Sequence, residues 1–234
     1  MELYRLLQQH GFGSRKDCRK LIEHGLVELN GEVVDVWRLE VDPEQLGELV
    51  VDGEPWTLLP DPIYLMLHKP AGYETSHKPL HNPSVYTLLP WQLMNLDVSA
   101  VGRLDVDTTG LLLFTSDGQF VHALTSPRRH VPKLYEVLLK HPAGDELVKK
   151  LLAGVFLKDD NERVAADAVE LVDEHTLRMT ITQGKYHQVK RMIAAAGNRV
   201  NELHRLGMGA LTLGELDEGQ WRYLTREELA GFGF

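Results

Sequence analysis

Apolar spacing divides the chain into short segments of alternating kind. Leu3, Leu6, Leu7 and His10 recur at helical intervals, and Gly11-Phe12-Gly13 interrupts them. Ser14 offers a side-chain oxygen to cap a second helix over 15–24. Its pattern turns Cys18, Leu21 and Ile22 inward and Arg15, Lys16, Arg19 and Lys20 outward, and Gly25 suits its end. Val27 and Leu29, an Asn30-Gly31 turn and Val33-Val34 predict a hairpin, and Val50-Val51-Asp52-Gly53-Glu54 a further strand and turn. Pro60-Asp61-Pro62 closes this unit as a linker. Beyond it the pattern predicts strands over 63–67, 111–114, 133–140, 168–172, 176–182, 199–205 and 211–213. Helices are predicted over 145–152, over 187–196 with Gly197-Asn198 behind it, and from Thr225. Strands outnumber helices without regular alternation. The expected class is therefore α+β. A small helix–helix–hairpin domain spans 1–59, and a domain over 60–234 has a mixed, largely antiparallel sheet flanked by helices.

Composition adds exclusions. The chain has 234 residues, 43% apolar and 25% charged, which is ordinary for a globular protein. No uncharged apolar run approaches the ~18 residues of a membrane span, so no membrane partner is expected. Met1 to Arg5 shows no signal-peptide character, and Cys18 is the single cysteine, which fits a reducing cytosol and a cytoplasmic location. The net charge of −9 argues against polyanion binding through bulk charge, but the charge is segregated. Residues 41–60 hold five acids and no Lys or Arg. Segments 1–20, 111–140 and 181–210 are each net basic. Three basic islands in an acidic chain can form the electrostatic footprint of a nucleic-acid binder or can be ordinary surface alternation.

Three segments could carry chemistry. Gly102-Arg103-Leu104-Asp105-Val106-Asp107-Thr108-Thr109-Gly110 reads as a loop running into a buried strand, where sites concentrate. Its carboxylates suit a ligand-facing pair, a hard metal, or simply an Asx/ST-turn network. Gly184-Lys185-Tyr186-His187-Gln188-Val189-Lys190-Arg191-Met192 opens a helix whose N-terminus and cations could hold an anion, or form a solvated basic face. There His187 reads more readily as a cap or packing residue than as a base. Tyr135, behind Arg128, Arg129 and Lys133, could stack on a nucleobase, although a strand Tyr is more often core. His122, His130 and His204 lack zinc-like spacing, so no metal site is expected.

In this order, the segments resemble the pseudouridine synthases, in particular the branch acting on small-subunit ribosomal RNA. The resemblance rests on Gly102-Arg103-Leu104-Asp105-x-Asp107-Thr108-Thr109-Gly110, Lys133-x-Tyr135 and Gly184 to Met192. Leu67-x-Lys69-Pro70-x-Gly72-Tyr73 and Gly219-x-x-Arg222-x-Leu224-Thr225 extend it. The first sixty residues resemble an S4 RNA-binding domain through Gly13-Ser14-Arg15 and Leu29-Asn30-Gly31-Glu32-Val33-Val34. They depart from the usual opening at Glu2-Leu3-Tyr4-Arg5. The resemblance implies that Asp105 is the nucleophile that frees N1 of a uridine so that the base re-attaches through C5. It implies Lys190 as the basic partner keeping Asp105 ionised and aimed, and Tyr135 against the uracil, available to move a proton. Arg103 would hold the RNA while the uridine is flipped out, and Asp107 and Thr108 would shape the loop. Arg15, Lys16, Arg19, Arg128, Arg129, Lys185 and Arg191 would contact RNA. The isomerisation needs no cofactor. The expected partner is 16S rRNA, free or in a partly assembled small-subunit particle, and the expected state a monomer. The alternatives are a sister enzyme for 23S rRNA, a non-catalytic assembly factor of the same fold, and a metal-dependent hydrolase using Asp105 and Asp107. Several 23S enzymes carry a long basic C-terminal tail; the end at Phe234 favours the small-subunit reading.

Overall fold

The computed structural model describes residues 1–234, the side chain of Pro127 excepted. Its packing divides into two compact units, Met1–Ile63 with Leu89–Val98, and Tyr64–Leu88 with Ser99–Phe234. In the first, α1 (Leu3–Gln9) and α2 (Arg15–Glu23) share one core with β1 (Val27–Leu29), β3 (Leu49–Val51) and β4 (Glu54–Trp56), and β2 (Glu32–Val33) lies exposed beside β1. The strands form an antiparallel sheet in the order β2-β1-β3-β4. A capping box starts α2: Ser14 Oγ accepts from the Asp17 N–H, and the Asp17 carboxylate accepts from the Ser14 N–H.

One segment of this unit departs from the sequence reading, which assigns everything after residue 59 to the second domain. Helix α3 (Trp91–Met94) packs in the first unit. Asn95 donates from Nδ2 to the Gly11 carbonyl at 2.8 Å, and the Trp91 ring meets Phe12 and Trp56 edge-on. Gly11, at φ +81°, lies so close to α3 that a Cβ would sit 2.2 Å from the Gln92 carbonyl oxygen. The Asn95–Gly11 bond joins positions 84 residues apart, and local periodicity cannot see such a distance.

The second unit is built on β5 (Tyr64–Lys69), β6 (Ser99–Ala100), β7 (Thr108–Thr115), β8 (Lys133–Leu139), β11 (Ala168–Leu171), β12 (Thr176–Ile181), β13 (Val200–Met208), β14 (Leu211–Thr212) and β15 (Trp221–Tyr223). These nine strands form a sheet in the order β11-β12-β8-β13-β7-β5-β15, with β14 beside β13 and β6 beside β7. Among these strands, β7 and β13 alone pair in parallel. A separate hairpin joins β9 (Val155–Leu157) to β10 (Glu162–Val164). The helices are α4 (Gly118–Thr125), α5 (Asp145–Ala153), α6 (Gln188–Ala196) and α7 (Arg226–Ala230). Leu111 to Phe114 on β7 are fully buried, and Phe120 of α4 packs with Leu111 and Leu113 in one apolar cluster.

The mixed, largely antiparallel α+β arrangement is the expected one. Helix α4 and the β9–β10 hairpin add to the elements expected from periodicity. Strand β7 begins at Thr108, so the last third of the expected loop is strand. Strand β13 runs on to Met208, with register shifts between Val200 and Glu202 and between Arg205 and Gly207. Gly110 is required by packing. At φ +105° it lies against β13, and a Cβ there would come within 2.3 Å of the Arg205 carbonyl oxygen.

Candidate active site

The turn between β6 and β7 carries Asp105 and is fastened from behind. Lys69, at the end of β5, is completely buried although charged. Its Nζ donates to the carbonyls of Pro70, Asp105, Val106 and Thr108 at 2.9, 3.1, 3.3 and 2.9 Å. Thr75 Oγ1 both donates to the Leu104 carbonyl and accepts from its N–H, and the Gly72 N–H donates to the Val106 carbonyl. Burial brings the Lys69 ammonium down to about 8, against the raising charges of Asp107 and Asp105. It still carries its proton at neutral pH, and four carbonyl acceptors suit that form.

So held, the Asp105 carboxylate meets two groups from the start of α6. Lys190 Nζ lies 3.1 Å from Oδ2, and His187 Nε2 lies 3.3 Å from Oδ1. Lys190 also donates to Asp107 at 2.5 Å. Burial opposes the Lys190 charge, but hydrogen bonds to both aspartates raise its pKa above the ordinary lysine value. Burial likewise works against the Asp107 charge, but the hydrogen bond and charge of Lys190, with smaller help from the backbone and His187, together outweigh it and hold that carboxyl below its usual range. His187 occupies the N-cap of α6 in the left-handed region (φ +47°) and makes no side-chain cap. Its ring stacks on Tyr186, with centroids 3.8 Å apart. A non-glycine residue held there is a strained choice, and here it aims the imidazole at Asp105.

Asp105 opens onto a cavity of about 450 Å³, a volume suited to a small ligand. Tyr135, Arg103, Lys133, Lys185 and Arg205 share its lining with Leu104, Ile181, Leu203 and Met208. The second and third basic islands thus meet at one cavity.

The remaining expected site residues divide. Arg103 is exposed at this cavity, and Arg128 and Arg129 are exposed on a short turn of helix. Lys185 and Arg191 are not free cations. Lys185 pairs with Glu162 and Asp160, and Arg191 with Asp160 at 2.9 Å and Asp159 at 3.9 Å. The acids come from the unforeseen β9–β10 hairpin; they claim Arg191 of the basic face expected on α6, and its other cation, Lys190, goes to Asp105 and Asp107. Asp107 shapes no turn with its side chain; it shares Lys190 with Asp105. The Thr108 hydroxyl is buried without a partner, and only its backbone holds the loop. In the first unit, Arg15, Lys16 and Arg19 are exposed on α2. Arg15, Arg19 and Arg38 lie 5.5, 5.1 and 4.4 Å from the Trp37 ring centre.

Sequence reasoning missed the roles of Lys69, His187 and Arg205. A signal existed for two of them. Lys69 closes a strand that begins as a continuous apolar run, and Arg205 shares the inward parity of Leu203 on β13.

An aspartate on a clamped turn, paired with a lysine at a nucleotide-sized, cation-lined cavity, in a chain that also carries a helix–hairpin unit, defines a class. The chain belongs to the RNA pseudouridylate synthase family, which it matches over residues 63–195, and it matches the S4 domain over residues 3–44. It is 40% identical over 234 residues to the ribosomal small subunit pseudouridine synthase A of Yersinia pestis, covering 100% of this chain and 98% of that one. It is 39% identical over 235 residues to the protein of the same description from Escherichia coli K12, covering 98% and 99%. A crystal structure of a pseudouridylate synthase superposes with a TM-score of 0.70 at 35% identity, covering 99% of each chain.

Proposed function

We propose that this enzyme isomerises one uridine of 16S rRNA to pseudouridine, with Asp105 as the nucleophile. The observation that carries the reading is the Asp105 carboxylate, fixed by the Lys69-clamped turn and held between Lys190 and His187 at the mouth of a nucleotide-sized cavity. Likeness over the whole length to small-subunit synthases supports the choice of RNA. With Lys190 and His187 against it, the carboxylate has the cavity as its open side. Lys190 keeps a positive charge beside it throughout the reaction. Tyr135, on β8 and 8% exposed, presents its ring to a base in the cavity and its hydroxyl to a proton in transit. The chemistry breaks the N1–C1′ bond, makes C5–C1′, and moves one proton from C5 and one to N1. It is balanced without a redox cofactor. Arg103, Arg128 and Arg129 face the flanking RNA of the catalytic unit, and Arg15, Lys16 and Arg19 that of the S4 unit. The reading places the enzyme in the cytoplasm, acting as a monomer on rRNA or an assembling small subunit.

Asp105→Asn keeps the size of the side chain and removes its charge. The expected outcome is folded protein that binds RNA and forms no pseudouridine, read by mapping the modification in small-subunit rRNA. Turnover by the Asp105→Asn protein would refute the assignment.

A further inference from the structure

Among the described residues, three polar atoms at the cavity are buried and have no partner: Arg205 Nη2, Thr108 Oγ1 and Gln183 Oε1. Folded proteins pair nearly all such atoms, so a group of orphans at one cavity points to a ligand that completes them. Arg205 is the most telling. It is 2% exposed, and its Nε donates to the Leu111 carbonyl at 2.7 Å, which fixes the plane of the guanidinium. Its position on β13 is directly across from Tyr135 on β8, so the two side chains share a face. On the other side it faces Gly110 of β7, which has no side chain to compete. A second cation of the cavity, Lys133, has its ammonium lowered by burial and by the Arg205 charge. Asp105 is occupied by Lys190 and His187.

A guanidinium has donors only. What it awaits is an acceptor, in a place where Tyr135 offers a ring for stacking. We propose that Arg205 contacts the substrate directly, donating from Nη2 to a carbonyl oxygen of the target uracil. Uracil presents two such oxygens, O2 and O4, on either side of the N3–H donor, and Gln183 Oε1 is an acceptor suited to N3–H. When N1 leaves C1′ with the bonding electron pair, the negative charge spreads onto these oxygens, and a fixed donor there stabilises it. Arg205 exchanges no proton; C5 still loses one and N1 gains one when the C5–C1′ bond forms. If the contact is at O4, it also rejects cytosine, which has an amine at that position. The inference rests on the proposal that the target base occupies the cavity beside Asp105.

The test is a single-turnover series on an rRNA fragment carrying uridine, 2-thiouridine or 4-thiouridine at the target position. It compares wild type with Arg205→Met and Arg205→Lys, each checked for folding by thermal melting. Sulfur is a poorer acceptor. One of the two thio substrates is expected to slow wild type by about 10- to 100-fold, the worth of a hydrogen bond from a charged donor. Arg205→Met is expected to be slowed by a similar factor on uridine and to be indifferent to that same sulfur. Arg205→Lys, with a shorter donor, should fall between. The position of the sensitive sulfur tells O2 from O4. Equal thio effects in wild type and in either variant, at both positions, overturn the contact. Should Arg205→Met fail to fold, Arg205→Lys and wild type still decide, because wild type that turns over both thio substrates at the uridine rate also overturns it. If wild type makes no pseudouridine on the uridine fragment or on small-subunit particles assembled with it, the underlying assignment falls, and the contact with it.

Discussion

Lys190 serves two carboxylates of unequal standing. Asp107 is the closer, at 2.5 Å, but its side chain is 73% exposed, whereas that of Asp105 is 28% exposed and faces the cavity. An exposed pair contributes about 1 kcal/mol or less, so Asp107→Asn is expected to slow turnover by less than about fivefold. Lys190→Met removes the cation beside Asp105, and if Asp105 attacks the substrate the single-turnover rate is expected to fall by ~10²–10³ with RNA affinity nearly kept. Near-wild-type turnover by Lys190→Met would show that the pair does not matter to the reaction. Lys69 yields a pH signature. Its pKa is about 8 in the fold against 10.5 for a free lysine. Between those values the unfolded chain binds a proton that the folded chain does not. The Lys69 contribution to stability therefore rises with pH across that window and is level below it. Denaturant titrations at a series of pH values should show wild type gaining on Lys69→Met from about pH 8 to pH 10.5. A difference that stays constant there would contradict the lowered value.

At the scale of elements, the site depends on the parallel pairing within the sheet. Strands β7 and β13 run side by side through Leu203 opposite Thr108 and Arg205 opposite Gly110. Gly110 makes the approach possible, because a side chain would strike both the Arg205 nitrogen and its carbonyl oxygen. Gly110→Ala is therefore expected to cost about 2–6 kcal/mol, the sum of about 1–3 for left-handed strain and about 1–3 for overpacking. It should also displace Arg205 and Thr108 at the cavity. Thermal melting measures the first effect and single-turnover rate the second. A variant as stable as wild type would mean the strands separate freely. The same pairing accounts for the Thr-Thr-Gly ending of the motif: two residues that suit a strand, then one that yields to its neighbour.

For the whole molecule, the two units are not two consecutive stretches of sequence. Leu89–Val98 belongs with the S4 unit by packing, so a chain cut to 60–234 keeps α3 but loses Gly11, Phe12 and Trp56, the partners of Asn95 and Trp91. Such a truncation is expected to melt below the full-length protein and to make Trp91, already 47% exposed, more accessible to fluorescence quenchers. A truncated chain with unchanged melting would show that the segment needs no partner. RNA binding is better probed in the full chain. Arg15→Gln with Arg19→Gln leaves the core of α2, Cys18 and Ile22, intact. The slope of log affinity against log salt should become shallower by roughly 0.7–0.9 for each phosphate that these cations no longer neutralise. An unchanged slope would remove them from the interface.

The sequence by itself determined most elements, the class of the fold and the aspartate proposed as the nucleophile. Those features are local: a continuous apolar run gives β5, looser patterning gives β8 and β12, a capping residue starts α2, and the motif around Asp105 is contiguous. Only the tertiary structure decided what each charged group faces. Lys69 reaches carbonyls up to 39 residues away, His187 turns from a cap into a partner of Asp105, and the acids of β9–β10 claim Lys185 and Arg191. Parity alone turns Arg205 inward with Leu203, but what it meets there is set only when β8 and β7 pair with β13. The physical reason is range. Backbone preference and side-chain periodicity act over a few residues. Charge pairing and burial are settled between strands and helices that the chain brings together only when it folds.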